Sequence, residues 1–94
     1  MNRIKENLLF YCDNTFRKHW VYKFDNGYGA SIIKGMYVYG NKFFPYELRV
    51  IKFGKNGYFE PVKVETFAND VKGYLNIEEV KEYLEQIKNI KVKV

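Results

Sequence analysis

The dipeptide Asn26-Gly27 constrains the fold of this chain more than any other feature of its sequence. It separates two β-prone runs, residues 20–24 and residues 28–33, and aromatic side chains occupy every second position of the first run. Asn-Gly between such runs is the strongest short signal for a β-hairpin, because both central positions of a type I′ turn need a positive φ. The sequence therefore predicts a hairpin over about residues 19–34 with a two-residue turn.

The length of that turn decides which side chains share a face of the hairpin. A two-residue turn places Asp25 opposite Tyr28 and Phe24 opposite Gly29, and side chains then alternate between the two faces. The aromatic face is predicted to be buried in the core, and it consists of Trp20, Tyr22, Phe24, Ser31 and Ile33.

A second hairpin is predicted over about residues 46–65, with Gly54-Lys55-Asn56-Gly57 as its loop. Pro61 has no N–H group to donate, so its strand is expected to lie at an edge of the sheet or to be bulged there. Residues 35–45, between the hairpins, follow no regular pattern. The two hairpins together predict a four-stranded antiparallel sheet.

The C-terminal residues show the clearest helix pattern. Asn76 is a suitable N-cap, and Glu79 completes a capping box at the third helical position. Apolar side chains then recur at helical spacing from Ile77 to Ile90 and form one stripe. Because such a stripe has to be buried, the helix is predicted to pack against the aromatic face of the first hairpin.

The N-terminal residues 2–12 are predicted to form a short helix, because Ile4, Leu8 and Cys12 repeat every four positions. The alternative is a strand, since Phe10-Tyr11-Cys12 also suits an extended conformation. The predicted fold is thus a single α+β domain over residues 1–94. It contains a four-stranded antiparallel sheet of two hairpins, a C-terminal amphipathic helix packed on one face and a short N-terminal helix.

The net charge of +5 is concentrated in the first part of the chain. Residues 1–56 contain ten Lys and Arg against four Asp and Glu, whereas residues 57–94 contain six against seven. A basic half indicates attraction to nucleic acid or to an acidic protein surface. A solvated basic surface without either partner is the alternative interpretation, because charge alone specifies no site.

A single cysteine, Cys12, excludes an intramolecular disulfide and is typical of a protein from a reducing compartment. No apolar run approaches the roughly 20 residues that span a bilayer, and the N-terminus lacks the apolar core of a signal peptide. We therefore expect a cytoplasmic protein that does not enter a membrane.

The sequence contains no recognisable pattern of catalytic or metal-binding residues. His19 is the only histidine, so a metal site would need carboxylates and Cys12 around it without any known spacing. A nucleophile–base pair of Cys12 and His19 lacks a group that would orient it. Asn26-Gly27-Tyr28-Gly29 contains too few glycines for a phosphate-binding loop. We expect a protein that is not an enzyme and that binds no cofactor, metal or small-molecule substrate.

Aromatic and basic side chains are interleaved between residues 37 and 52. Rings that stack and cations that neutralise phosphate are typical of surfaces that bind single-stranded nucleic acid. Tyrosines around an apolar anchor, with arginine nearby, are equally typical of protein-binding hot spots. A third interpretation is that several of these rings fill the core. The predicted partner-binding residues are Tyr37, Tyr39, Lys42, Phe43, Arg49 and Lys52.

Four stretches of the chain carry a family resemblance: Phe24-Asp25-Asn26-Gly27-Tyr28-Gly29-Ala30-Ser31-Ile32-Ile33, Tyr39-Gly40, Glu47-Leu48-Arg49-Val50 and Asp70-Val71-Lys72-Gly73-Tyr74-Leu75-Asn76-Ile77-Glu78-Glu79-Val80. Together they resemble a group of small uncharacterised phage and prophage proteins. The likeness covers about residues 16–90. It implies an accessory protein of a mobile element, and such proteins often inhibit host defence nucleases, as anti-CRISPR proteins do.

These observations lead to two functional hypotheses. The first is a small phage-type accessory protein in the cytoplasm of the host cell, which binds a host protein and inhibits a nucleic-acid-guided defence effector such as a CRISPR effector. The alternative is a basic accessory protein that binds nucleic acid. In the first hypothesis the partner contacts the six residues named above.

Overall fold

Six antiparallel strands and one helix occupy the part of the chain that the structure describes. The structure is a computed structural model, and it describes residues 4–36, 38–64 and 71–92. In chain order the elements are β1 (Leu8–Asp13), β2 (Arg17–Lys23), β3 (Tyr28–Gly35), β4 (Tyr46–Phe53), β5 (Phe59–Pro61), β6 (Val71–Leu75) and α1 (Ile77–Lys88). Strands β1 to β5 lie side by side in chain order, while β6 pairs with the first half of β4 and β5 with its second half.

The predicted sheet of four strands is therefore wrong, and so is the predicted helix over residues 2–12. The backbone of Asn7 has a φ of +65°, a left-handed conformation that does not continue a right-handed helix. Strand β1 follows and pairs with β2, whose outer edge would otherwise be unpaired. In this pair the rings of Tyr11 and Trp20 stack with their centroids 5.1 Å apart. Strand β6 is the second strand that the sequence does not predict.

The first hairpin has a turn that is one residue longer than the predicted one. The N–H of Phe24 donates to the carbonyl of Tyr28 (2.9 Å), and the N–H of Gly27 donates to the carbonyl of Phe24 (3.1 Å). Gly27 has a φ of +86°, but Asn26 has no positive φ, which excludes a type I′ turn. The chain instead forms a type I turn with a glycine bulge, and the strand pairing shifts by one residue.

This shift exchanges the two faces of strand β3. Ala30 and Ile32 lie opposite Tyr22 and Trp20 and are fully buried with them. The predicted places of Ser31 and Ile33 in the main core are therefore wrong, because these side chains lie on the other face. The three aromatic residues of the predicted face are confirmed as core residues: Trp20, Tyr22 and Phe24.

The second hairpin repeats the same turn. The N–H of Gly54 donates to the carbonyl of Tyr58 (2.8 Å), and Gly57 has a φ of +84°. Strand β5, which follows, is only three residues long and ends the strand order of the sheet, as the position of Pro61 predicts. The hairpin is thus confirmed, with a shorter second strand than expected.

Helix α1 begins as the sequence predicts. The Oδ1 atom of Asn76 accepts the N–H of Glu79 (2.9 Å), and the Glu79 carboxylate accepts the N–H of Asn76 (3.0 Å), which completes the capping box. Val80, Leu84 and Ile87 are buried in the main core. The sheet residues of this core are Trp20, Tyr22, Phe24, Ala30, Ile32, Tyr46, Leu48, Val50 and Leu75. Within the described residues, no helix is long and apolar enough to cross a membrane.

The face of the sheet opposite the helix, the helix-free face, has a small core of its own. Val21 and Ile51 are fully buried there, and the ring centroids of Phe10 and Phe59 are only 6.4 Å apart. Phe53 packs on Phe59 at 5.3 Å. A flat sheet would hold β1 and β5 about 19 Å apart. The sheet therefore curls towards the helix-free face.

Candidate partner-binding surface

Most of the exposed apolar side chains lie at one end of the sheet. This end, the loop end, contains the turn between β1 and β2, the connection between β3 and β4, and the end of β6 next to the start of α1. Eleven large apolar side chains are exposed within the described residues, and six of them lie here. We call these six the loop-end patch: Phe16, Met36, Tyr39, Phe43, Phe44 and Tyr74.

The connection between β3 and β4 is a tight turn built around Asn41. Its Oδ1 atom accepts the N–H groups of Phe43 (3.0 Å) and Phe44 (2.9 Å), and its own N–H donates to the carbonyl of Phe44 (3.0 Å). The backbone is therefore well ordered by local hydrogen bonds, although the segment has no regular secondary structure. The ring of Phe43 extends from this turn and is 78% exposed.

Tyr39 is fixed to the sheet through its backbone, whereas its ring is free of the core. Its carbonyl accepts the N–H of Tyr74 (2.7 Å), and its N–H donates to the Glu47 carboxylate (3.3 Å). A Cβ atom at Gly73 would lie 2.5 Å from the Cβ atom of Tyr39, so only glycine permits this close approach. The ring of Tyr39 remains 63% exposed.

Phe16 and Met36 extend the patch across β2 and β3. The N–H of Met36 donates to the carbonyl of Phe16 (3.0 Å), and the guanidinium Nε of Arg17 donates to the carbonyl of Met36 (2.9 Å). Sequence reasoning missed both residues and Tyr74, and it placed Phe44 in the interleaved segment without including it among the partner-binding residues. Their proximity depends on how the strands are ordered, which no local pattern reveals.

A recurring local motif was nevertheless available in the sequence. In four turns an asparagine precedes an aromatic residue by two positions, and the Oδ1 atom of the asparagine accepts the N–H of that residue at 2.9–3.3 Å. This Asx turn is a short-range preference of asparagine. It would have identified Phe16 as a turn residue like Phe43. The four motifs are Asn14-Thr15-Phe16, Asn26-Gly27-Tyr28, Asn41-Lys42-Phe43 and Asn56-Gly57-Tyr58.

The structure brings together some of the sequence-predicted partner-binding residues and separates others. Tyr39, Lys42 and Phe43 lie at the loop end. Arg49 lies in the middle of β4 on the helix-free face, opposite Ser31. Lys52 lies near the other end of β4 on the helix side, where its ammonium is 5.3 Å from the ring centroid of Tyr28. Tyr37 lies outside the described residues, and the partner-binding role of all six stays a prediction.

The β2–β3 side of the loop end is basic. Lys18 lies directly opposite Lys34 in the strand pairing, and such like-charged pairs are unfavourable unless other groups compensate them. The Lys34 ammonium lies 5.7 Å from the ring centroid of Tyr46, and Asp13 is the pairing position of Lys18 on β1. Arg17 adds a third cation beside Phe16. These cations flank the exposed rings on one side.

The chemical groups that sequence reasoning considered for catalysis lie on the helix-free face. Cys12 is exposed and occupies the pairing position of His19. The His19 Nε2 atom is 2.7 Å from the hydroxyl oxygen of Ser31, and its ring is nearly perpendicular to that of Phe10, with the two centroids 6.0 Å apart. Burial lowers the pKa of His19, and the nearby Arg17 charge lowers it further. No group of three or more potential metal ligands occurs within the described ranges.

The chain matches no protein-family model, no curated protein and no solved structure. We therefore infer function from the loop-end patch itself. It combines highly exposed rings, a backbone fixed by Asx turns and cations along one side. This is the composition of a protein-binding hot spot, in which aromatic anchors are surrounded by polar and charged groups.

Proposed function

We propose that this protein acts by binding another protein through the loop-end patch. The observation that supports the proposal best is the gathering of six exposed apolar side chains at one end of the sheet. Exposed apolar side chains gathered in one region of the surface mark interaction sites in soluble proteins. Aromatic anchors on an ordered backbone also lose little conformational entropy when a partner binds.

The exposure of the two central rings argues against a purely structural role. If Tyr39 and Phe43 filled the core, their truncation would unfold the domain, and no binding role would be needed to explain them. Their side chains are instead 63% and 78% exposed. Either ring can therefore be removed without opening the main core, which makes the proposal directly testable.

The resemblance to phage proteins and the positive charge beside the patch support a proposal for the class of protein that binds there. On that resemblance, the partner is a host protein, and the proposed class is a nucleic-acid-guided defence effector such as a CRISPR effector. The cations beside the patch suit an acidic surface on that partner. Charges at the rim of an interface mainly accelerate association and select the orientation of approach. Lys42, next to Phe43 on the exposed turn, is placed for this role.

Nucleic-acid binding is the alternative function, and the distribution of cations favours it less. A single-stranded nucleic acid needs cations along one groove, interleaved with rings that stack on bases. Arg49 lies on the helix-free face, whereas Lys52 lies on the helix side and Lys42 on the connection at the loop end. These three cations therefore do not share one track.

The test compares Phe43→Ala with Tyr58→Ala. Both rings are almost equally exposed, at 78% and 77%, and each follows an Asx-turn asparagine by two residues. They lie at opposite ends of the sheet, so Tyr58 is a matched control. Phe43→Ala is expected to weaken partner binding by about 2 kcal/mol or more, and Tyr58→Ala is expected to leave it unchanged.

The measurement starts with capture of host proteins on immobilised wild-type protein after nuclease treatment of the lysate. The identified partner is then purified, and its affinity for each variant is measured by calorimetry. A guide-directed DNA cleavage assay tests whether the captured partner is a defence effector. Equal affinities of wild type and Phe43→Ala would refute the surface assignment. Capture that disappears on nuclease treatment would favour the nucleic-acid alternative.

A further inference from the structure

The two ends of the strand order are built differently. Strand β5 is three residues long and contains Glu60 and Pro61, two features with which natural sheets prevent edge-to-edge pairing. Strand β1 is six residues long and contains no Lys, Arg or Pro. Strand β5 is thus protected against further strand pairing, whereas β1 has neither a proline nor a lysine that would prevent it.

Strand β1 also exposes large apolar side chains in succession. Leu9, Phe10 and Tyr11 are all exposed, although neighbouring positions of a strand point to opposite faces. A bulge between Leu8 and Phe10 disturbs the pairing only at the beginning of the strand. Among the residues that the structure describes, no strand other than β2 pairs with the regular stretch from Phe10 to Asp13, and exposed apolar side chains border this edge.

We infer that β1 is a dimerisation edge, on which β1 of a second copy of this chain pairs in the antiparallel direction. Two copies with a charge of +5 each repel one another over most of their surfaces. The run from Leu8 to Cys12 is uncharged, so its self-pairing brings no cations opposite one another. The apolar side chains of each copy then cover those of the other.

Symmetry explains why this association stops at two copies. A two-fold interface uses the same surface on both molecules. In the dimer the two β1 edges therefore pair with each other, and neither is available to a third copy. The edges that remain belong to β5, which contains Pro61, and to β6, which contains Lys72; Pro and Lys both disfavour further strand pairing. Because the two β1 strands run antiparallel, the two loop-end patches point in opposite directions, and the dimer presents two separate partner-binding surfaces.

Sedimentation velocity across micromolar to near-millimolar concentrations, under reducing conditions, tests the inference. Wild type is expected to shift from the mass of one chain to the mass of two. Leu9→Lys and Cys12→Lys place a cation on the edge and are expected to abolish that shift. Gln86→Lys, which introduces the same charge at an exposed position of α1, is expected to dimerise as wild type does, because α1 packs on β3 and β4.

Chemical crosslinking provides a second measurement that needs no folded lysine variant. A short bifunctional maleimide is expected to join two wild-type chains through the exposed Cys12, and Cys12→Ser is expected to give no product. A wild-type protein that remains monomeric throughout the concentration series would overturn the inference. So would dimers that persist equally in both lysine edge variants, or dimers in solution that Cys12 fails to crosslink.

Discussion

The side-chain amide of Asn26 caps the end of the helix: its Nδ2 atom lies 2.9 Å from the carbonyl oxygen of Ile87, which is 61 residues away in the sequence. The same nitrogen lies 3.2 Å from the carbonyl of Lys88 and 3.0 Å from that of Ile90. The last carbonyls of a helix have no partners within the helix. The turn of the first hairpin therefore supplies the donor that the helix C-terminus lacks.

Replacing Asn26 by aspartate is expected to destabilise the protein by about 1–3 kcal/mol, as for other buried hydrogen bonds that are lost. Asn26→Asp keeps the oxygen that accepts the N–H of Tyr28, but it removes the amide donor. It also places a carboxylate at the negative end of the helix dipole. Urea unfolding of the variant measures the loss.

The control for that change is Asn56→Asp in the second hairpin. Asn56 accepts the N–H of Tyr58 in the same kind of turn, at 3.3 Å, and its amide makes no hydrogen bond to the helix. We expect almost no change in the free energy of unfolding. Equal losses in the two variants would show that turn formation, and not helix capping, determines the effect at Asn26.

Truncation of a buried side chain of the helix is expected to lower the free energy of unfolding strongly, whereas truncation of an exposed one is expected to leave it almost unchanged. Leu84 is 6% exposed and lies in the main core, so Leu84→Ala is expected to cost about 2–5 kcal/mol. Lys81 is exposed and forms an ion pair with Glu78 at 3.8 Å, which is worth about 0.5 kcal/mol or less. Equal melting temperatures of Leu84→Ala and Lys81→Ala would contradict the packing described here.

The two glycines of the first hairpin are expected to respond differently to substitution by alanine. A Cβ atom at Gly29 would clash with the carbonyl oxygen of Tyr22 and lie 2.8 Å from the Cε2 atom of Phe53. Backbone cannot yield as a flexible side chain can, so Gly29→Ala is expected to prevent normal strand pairing. Circular dichroism and thermal melting of the variant detect this effect.

At Gly27 a side chain is disfavoured by the backbone conformation and not by a lack of space. No atom lies within 4 Å of a Cβ atom built there, but the φ of +86° is unfavourable for other residues. Gly27→Ala is therefore expected to cost only about 1–2 kcal/mol and to leave the fold intact. A Gly29→Ala variant as stable as Gly27→Ala would show that the sheet has room at position 29.

Acidification is expected to destabilise the protein through His19. Burial lowers the pKa of His19 below its ordinary value of 6.5, and the charge of Arg17 adds to the effect. The unfolded chain therefore binds a proton at His19 at a higher pH than the folded protein does. This contribution to stability is fully present above pH 6.5 and is lost as the pH falls from there through the lower pKa of the folded state.

Melting temperatures of wild type and His19→Gln between about pH 5 and 8 isolate this contribution, because the histidine of the unfolded chain gains its proton in that range. The difference between the two proteins is expected to change as the pH falls below neutrality, in the direction that penalises wild type. Carboxylates titrate equally in both proteins and cancel from the comparison. A difference that stays constant with pH would contradict the partly buried environment of His19.

Local sequence determined those parts of the fold whose interactions span only a few residues. The capping box of Asn76 and Glu79, the apolar stripe of the helix and the positions of both hairpin turns are set by neighbours along the chain. The length of the first turn was not predictable in this way, because Asn-Gly suits both a two-residue turn and a type I turn with a bulge.

Long-range pairing determined the rest of the sheet. Residues 8–13 suit a helix or a strand, and they form a strand because they pair with the free edge of β2. At the loop end, the sequence predicted Tyr39, Lys42 and Phe43 as partner-binding candidates, and all three are exposed. Only the strand order placed Phe16 and Met36 at the same end. Arg49 and Lys52 were separated from that end because side chains alternate along β4.

The two Asn-Gly-Tyr turns show the division between sequence and tertiary structure most directly. Asn26 and Asn56 occur in the same local sequence, adopt the same turn and accept the same backbone hydrogen bond. The sequence by itself determined this much, because an Asx turn involves only adjacent residues. The end of the helix lies over Asn26 and not over Asn56. Only tertiary packing therefore decided which of two identical turns became a helix cap.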